Sequence, residues 1–156
     1  MKNYMTTKEM KEISSTLLKG KITELKCELW FLERGYLVSI PEVPYQYDFL
    51  VDVNGKIIKI QVKTSSVDKE KTGITFRVCS ITHNNNGYAR RNYSENDVDY
   101  FMTYYEEKCY LIPFSDCGVK EKKLRLIPPK NGQVKGISFA EDYLAEKILG
   151  LEEVIE

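Results

Sequence analysis

The stretch YDFLVDVNGKIIKIQVKTS, residues 47–65, constrains the fold more than any other part of the chain. Two runs rich in Val, Ile and Phe suit pleated strands, and Asn54-Gly55 between them tolerates the positive φ angles of a two-residue turn. With those two residues as the loop, Val53 pairs with Lys56 and the register of the whole hairpin follows. One face then carries Phe49, Val51, Val53, Ile58, Ile60 and Val62, a core face. The other carries Asp48, Leu50, Asp52, Ile57, Lys59, Gln61 and Lys63. Asp48 falls opposite Gln61, and Lys63 lies one step beyond, so an acid, an amide and a lysine gather at the end away from the turn.

Upstream, residues 16–34 have the spacing of a helix closed by Gly35. Leu18, Ile22, Leu25, Leu29 and Leu32 form one apolar stripe at three- and four-residue spacing. A second stripe, Leu17, Gly20, Glu24, Cys27 and Phe31, is apolar or small except for Glu24. A carboxylate within such a stripe requires a partner, a cation or a cleft, because burying it alone is very costly. Its plainer reading is an edge position reaching solvent or pairing with Lys21 or Lys26.

Downstream, YLVSI (36–40) predicts a short strand stopped by Pro41 and Pro44, and ITFRVC (74–79) another, with Thr75, Arg77 and Cys79 on one face. Residues 82–97 read as a long polar loop with Asn-Gly at its tip, a type of segment that often binds something. DYFMTYY and CYLIPF predict two strands joined by Glu106-Glu107-Lys108, and KKLRLI (122–127) a further one. Ser138 and Glu141 fit a capping box opening a final helix that closes near Gly150. The order predicts an α/β (α+β) fold, and the 156 residues are expected to form a single domain, 1–156.

The composition, 42% hydrophobic and 29% charged, belongs to globular rather than disordered chains. No run approaches the roughly 18 apolar residues a membrane span needs, and MKNYMTTKEM lacks a signal-peptide core, so a cytoplasmic location is expected. The four cysteines lack paired zinc-site spacing, and His83 is the sole histidine. Cys109 and Cys117 flank YLIPFSD as possible neighbours across a turn, but in a reducing compartment free thiols are expected.

Net charge is zero but unevenly spread. Residues 139–156 hold six acids and one Lys, leaving 22 basic against 17 acidic residues elsewhere. From Lys71 to Ser94 there is no acid, only Lys71, Arg77, Arg90 and Arg91, and residues 119–137 carry six basic residues and one Glu. Such blocks make a phosphate-binding face on a neutral protein, although the second block reads equally well as solvated surface.

Two carboxylates with an amide oxygen are a donor set for Mg²⁺, a hard ion that prefers oxygen and keeps several waters. Such an ion lowers the pKa of a bound water and neutralises charge on a phosphate in transit. A lysine two residues past a ligand points to the same side of its strand. Asp48, Gln61, Lys63 and a helical Glu24 are therefore the parts for hydrolysing a phosphodiester.

Glu24 within GKITELKCELWFLERGY, then YDFLVDVNGK, then IQVKT, resembles the PD-(D/E)XK nuclease superfamily, and more closely a group of small proteins that includes group I intron homing endonucleases. DVDYFMTYY with CYLIPF is similar to a segment that follows the catalytic hairpin in that group. The resemblance spans about residues 17–115. It implies a restriction-endonuclease-like core, a central mixed sheet with flanking helices, Mg²⁺-dependent cleavage of double-stranded DNA with Mn²⁺ as a substitute, and a homodimer or homotetramer. By resemblance, Asp48 matches the first metal-binding acid, Lys63 the catalytic lysine and Glu24 the acid of the first helix. Tyr47 stands where many members have proline. Gln61 replaces the acid before x-Lys, as the resembling intron endonucleases can also do, but a neutral amide binds a cation more weakly.

DNA contacts are expected at Arg77, Arg90, Arg91, Ser65 and Tyr88. The nuclease resemblance favours phosphate contact over mere solvation of the loop for Arg90 and Arg91, and Tyr88 and Tyr93 either stack on the nucleic acid or pack their loop. Three alternatives stay open: a Holliday-junction-resolvase-like nuclease, a DNA-binding module whose Gln61 marks a decayed site, and a helper subunit. Retention of Glu24, Asp48 and Lys63 together argues against decay.

Overall fold

The computed structural model describes residues 15–151. The N-terminal run MKNYMTTKEM and the three last acids of the 139–156 block lie outside the described residues. Helix α1 (Ser15–Glu33) packs against a five-stranded sheet. That sheet has the order β1 (Val38–Ser39), β2 (Phe49–Val53), β3 (Lys56–Val62), β8 (Tyr100–Tyr105), β9 (Lys108–Pro113). It is mixed, because β3 and β8 run parallel while the other neighbours are antiparallel. A second, antiparallel sheet orders β10 (Glu121–Arg125), β5 (Gly73–Arg77) and β4 (Ser66–Val67). A third contains only β6 (Cys79–Asn84) and β7 (Gly87–Asn92).

The central hairpin has the register its turn predicts, Val53 opposite Lys56 and Phe49 opposite Ile60. Asn54 and Gly55 both have positive φ, 54° and 86°, which a mirror-image two-residue turn requires, and Asp52 Oδ1 accepts the Gly55 N–H at 2.7 Å. Glu106 and Glu107 form a similar turn between β8 and β9 with φ of 45° and 64°, so Lys108 belongs to β9 rather than to the turn.

Two cores flank the central sheet. Phe49, Val51, Ile60, Val62 and Met102 pack with Cys27 and Phe31 of α1. Phe101 and Ile112, on the opposite face, pack with Ile74, Phe76 and Leu124 of the second sheet. Each fully buried side chain of this size contributes roughly 1.5–3 kcal/mol through removal from water.

Four expectations are corrected. The Leu18, Ile22, Leu25, Leu29, Leu32 stripe faces outward, each 47–51% exposed, because the sheet takes the face bearing Thr23, Cys27, Trp30 and Phe31. The run 74–79 is not one strand: β5 ends at Arg77, and Cys79 opens β6 in another sheet. The polar segment 82–97 is largely a hairpin arm, with Asn84 opposite Gly87. Its residues are polar on both faces, so it lacks the alternation that marks a half-buried strand. The capping box does not form either. Ser138 Oγ instead receives the Lys122 ammonium at 2.8 Å, and the chain turns through a 3-10 segment, Ala140–Tyr143, into the short helix α2 (Ala145–Ile148). Gly150, at φ +66°, follows α2 as expected.

Cys109 is buried in the same core as Cys27, the Cys117 thiol points to the Pro113 carbonyl, and the described cysteines are free thiols. No helix among the described residues is long and apolar enough to cross a membrane.

Candidate active site

Asp48 immediately precedes β2 and is fixed on both sides by the central hairpin. Its N–H donates to the Ile60 carbonyl at 2.9 Å, and its Oδ2 accepts the Val62 N–H at 2.7 Å. Val62 lies between Gln61 and Lys63, so the carboxylate is bound to the strand that carries both. Lys63 N–H continues the parallel pairing by donating to the Met102 carbonyl at 2.9 Å.

Glu24 on α1, Asp48 and Gln61 line one cavity of about 360 Å³, together with Gly20 and Thr64. The small side of Gly20 belongs to the α1 stripe that also carries Glu24. Glu24 combines the two readings its sequence position allows, since it faces this cavity and pairs with Lys21 at 3.1 Å. Gln61 Oε1 is buried with no hydrogen-bond partner, while its Nε2 makes only a marginal 3.5 Å contact with the Val62 carbonyl. An acceptor oxygen left without a donor beside two carboxylates is a place where a cation fits. His, Cys, Asp and Glu side chains form no metal-holding group of three among the described residues, so the oxygen set depends on the amide.

Burial pushes the Asp48 carboxyl up to about 6, opposed by the Val62 N–H and reinforced by Glu24. A cation in the cavity reverses that direction. Burial also lowers the Lys63 ammonium, which Asp48 partly offsets. Glu28, one turn beyond Glu24, is the buried carboxylate of α1: it is 8% exposed, its Oε1 has no partner, and burial followed by Glu24 raises its pKa. Sequence reading missed Glu28 because it lies outside both stripes. Its i+4 spacing from Glu24 was the available signal.

Lys63 does not line the Glu24–Asp48–Gln61 cavity. It borders a neighbouring one of about 580 Å³, with Arg77, Cys79 and Glu121. Its ammonium donates to the Tyr93 hydroxyl at 3.1 Å and the Cys79 carbonyl at 3.4 Å. From the sequence, Tyr93 is only a stacking or packing residue. Its contact with Lys63 spans 30 residues and has no local signal.

A PD-(D/E)XK endonuclease family model matches residues 14–146, most of the chain. The chain belongs to the PD-(D/E)XK endonuclease family. The chain is also similar to a solved structure of a bacterial homing endonuclease, I-Ssp6803I, at 27% identity and a TM-score of 0.69, covering 88% of this chain and 94% of that one. No curated protein matches the chain. PD-(D/E)XK nucleases typically use divalent metal ions.

The residues expected to meet DNA are carried by β5, β7 and the segment after β3 of this PD-(D/E)XK core. Arg77 is exposed at the end of β5, opposite Glu121 of β10. Tyr88, Arg90 and Arg91 are exposed on β7. Adjacent residues of a strand face opposite ways, so Arg90 shares a face with Tyr88, and Arg91 shares the other with Ser80 across the pair. Arg90 Nε donates to Asn92 Oδ1 at 3.0 Å, whereas Arg91 reaches Asp97 at 3.8 Å. Ser65 lies between β3 and β4 and makes a 3.5 Å contact with the Tyr104 carbonyl. His83 packs near the Tyr88 ring, with centroids 6.5 Å apart.

Proposed function

We propose that this chain is a Mg²⁺-dependent DNA endonuclease of the homing type, acting as a single nuclease domain over residues 1–156. The observation that carries the reading is the buried, unpartnered Gln61 Oε1 in a cavity shared with Asp48 and Glu24. Those three residues would hold Mg²⁺, or Mn²⁺ in its place. When bound, the ion supplies an activated water and positive charge against a phosphate in transit. Asp48, held through Val62, fixes where that oxygen set lies relative to Lys63. Lys63 contributes a second positive charge next to the cavity and stabilises charge on the scissile phosphate.

The test is nicking of supercoiled plasmid in Mg²⁺, in Mn²⁺ and in EDTA. Cleavage confined to the two metals is the expected result. Duplex binding without cleavage in either metal would identify a decayed nuclease fold, and cleavage restricted to four-way junctions a resolvase.

DNA contact is assigned to Arg77, Arg90, Arg91, Ser65 and Tyr88. Bound phosphates release counterions, so affinity falls linearly on a log–log salt plot, by about one unit of slope per contact. A flexible loop carrying Arg90 and Arg91 could offer two contacts, but the arm's alternation lets one duplex meet only one of them on a given face. Replacing both by Ala should flatten the slope by about one unit, with Arg90→Ala and Arg91→Ala contributing unequally. Titrations over a range of salt decide it, and equal single effects summing to two units would remove the arm geometry from the account.

Cutting both strands of a duplex calls for two sites, and the exposed face of α1 offers the surface for a second copy. Lys19 lies in the N-terminal half of α1 and Glu33 at its C-terminal end. Two copies of the helix packed antiparallel about a two-fold axis bring those charges together across the paired Leu stripes. The protein is therefore expected as a dimer, or a tetramer built from dimers. Light scattering should find Leu25→Glu/Leu29→Glu folded and monomeric. A wild-type protein of monomer mass at micromolar concentration would reject this interface.

A further inference from the structure

The Lys63 ammonium is held from the two roots of the β6–β7 arm. Cys79, whose carbonyl accepts one of its hydrogen bonds, is the first residue of β6, and Tyr93 follows the last residue of β7. The roots lie together because Cys79 pairs with Asn92. The arm beyond them pairs with itself alone, and every residue of β7 is exposed. The arm is thus anchored at its base, and its distal half, from Thr82 to Arg90, is exposed.

Tyr93 itself is well fixed. It is partly buried, and its ring meets Phe101 of the central sheet edge-to-face at 5.4 Å. The Lys63 ammonium also lies 4.9 Å from the Tyr93 ring centre. Two charged groups elsewhere face this lysine, Asp48 from the start of β2 and Arg77 from the end of β5. Lys63 and Asp48 form no ion pair within 4.0 Å among the described residues. The arm, not the acid of the cavity, sets the direction of the lysine.

The arm's other attachment is weak. Arg91, two residues before Tyr93, reaches the half-buried Asp97 only at 3.8 Å and with its guanidinium exposed, a long contact that a phosphate approaching from solvent can replace. Asp97 also accepts the Ser94 N–H at 2.8 Å, so the pair bridges the segment on either side of Tyr93.

We propose that Tyr93 is a positioning residue that, with the Cys79 carbonyl, places the Lys63 ammonium according to whether DNA lies on the β6–β7 arm. In the free protein the lysine is drawn toward the arm. A phosphate that takes Arg91 from Asp97 shifts the root carrying Tyr93, and Lys63 moves with it. A displacement of about 1 Å at a reacting group can change a rate by roughly a hundredfold, so a small movement of the root suffices. The proposal rests on the nuclease reading of Lys63 and adds the device that directs it.

The experiment uses Tyr93→Phe, which keeps the ring against Phe101 and removes only the hydroxyl. The first readout needs no cleavage: the side-chain ammonium resonance of Lys63 in protein labelled with ¹⁵N-lysine, assigned by its loss in Lys63→Arg, in EDTA. The expected result is a resonance that is sharpened by slow exchange in the wild type and broadened away in Tyr93→Phe. Adding a short duplex should shift it in the wild type and leave it unmoved in Arg91→Ala. The second readout is single-turnover cleavage. Tyr93→Phe should lower the rate at saturating DNA by roughly tenfold to a hundredfold while duplex Kd stays within about twofold. An unchanged Lys63 resonance overturns the proposal, and so does weaker binding with an undiminished saturating rate, which would make Tyr93 a DNA contact. If the wild type cuts no DNA, the nuclease reading fails by itself, and the Lys63 resonance still decides whether Tyr93 positions the lysine.

Discussion

Asp48→Ala is expected to reduce cleavage by roughly a thousandfold or more while leaving duplex affinity within about tenfold. The difference follows from where the carboxylate stands. It lines the cavity with Gln61 and Glu24, whereas the exposed arm and Arg77 line other surfaces, whose charges supply affinity through phosphates. Asp48 also has a structural duty, because its Oδ2 accepts the Val62 N–H at 2.7 Å. Alanine leaves that partly buried donor without its partner, at a cost of roughly 1–3 kcal/mol. Asp48→Asn retains an acceptor oxygen and removes the charge, so it separates the two roles. It should melt close to the wild type and still fail to cut. Plasmid nicking, duplex titration and thermal melting on the same preparations provide the comparison. Normal cleavage by Asp48→Asn would end the assignment of this cavity to metal.

Gln61→Ala should lower cleavage by roughly a hundredfold, the scale on which a weakened metal site loses activity. Gln61→Glu is the more telling change. It sets a third carboxylate beside Asp48 and Glu24, and Asp48 already has a pKa raised to about 6 by burial. Without metal the added repulsion should destabilise the fold by about 1–2 kcal/mol. Mg²⁺ should remove that deficit, because a ligand bound only by the native state stabilises it by mass action. The Mg²⁺ concentration giving half-maximal cleavage should fall as well, since a carboxylate holds a hard cation better than an amide. Melting curves in EDTA and across a Mg²⁺ series test this independently of catalysis. A Gln61→Glu protein that melts like the wild type in EDTA and gains nothing from Mg²⁺ would show that residue 61 does not face the ion.

The central hairpin and the β8–β9 pair could be read from the chain because their information is local. Asn54-Gly55 selects the turn, the turn selects the register, and a period of two then separates a core face from a polar one. Asp48, Gln61 and Lys63 could be grouped for the same reason. The β6–β7 arm could not be recognised as strands, since Thr82, His83, Asn84, Arg90 and Arg91 offer no buried face whose alternation would betray it. Its Asn86-Gly87 step was the one local mark of a turn.

What the sequence by itself determined, then, was what neighbours along the chain impose on one another: turns, periodicity and the pairing of adjacent strands. The tertiary structure alone decided which of two apolar stripes of α1 met the sheet, because burial depends on the surface that arrives to cover a helix. It likewise engaged Ser138 with Lys122 instead of a helix cap, and left Glu28 rather than Glu24 as the most buried acid of α1. It also brought Tyr93 to Lys63 across 30 residues, because β3 and β8 pair in parallel and the chain between them must leave the sheet and return. Side chains that meet through such a crossover share no spacing rule, so only the packed fold puts them in contact.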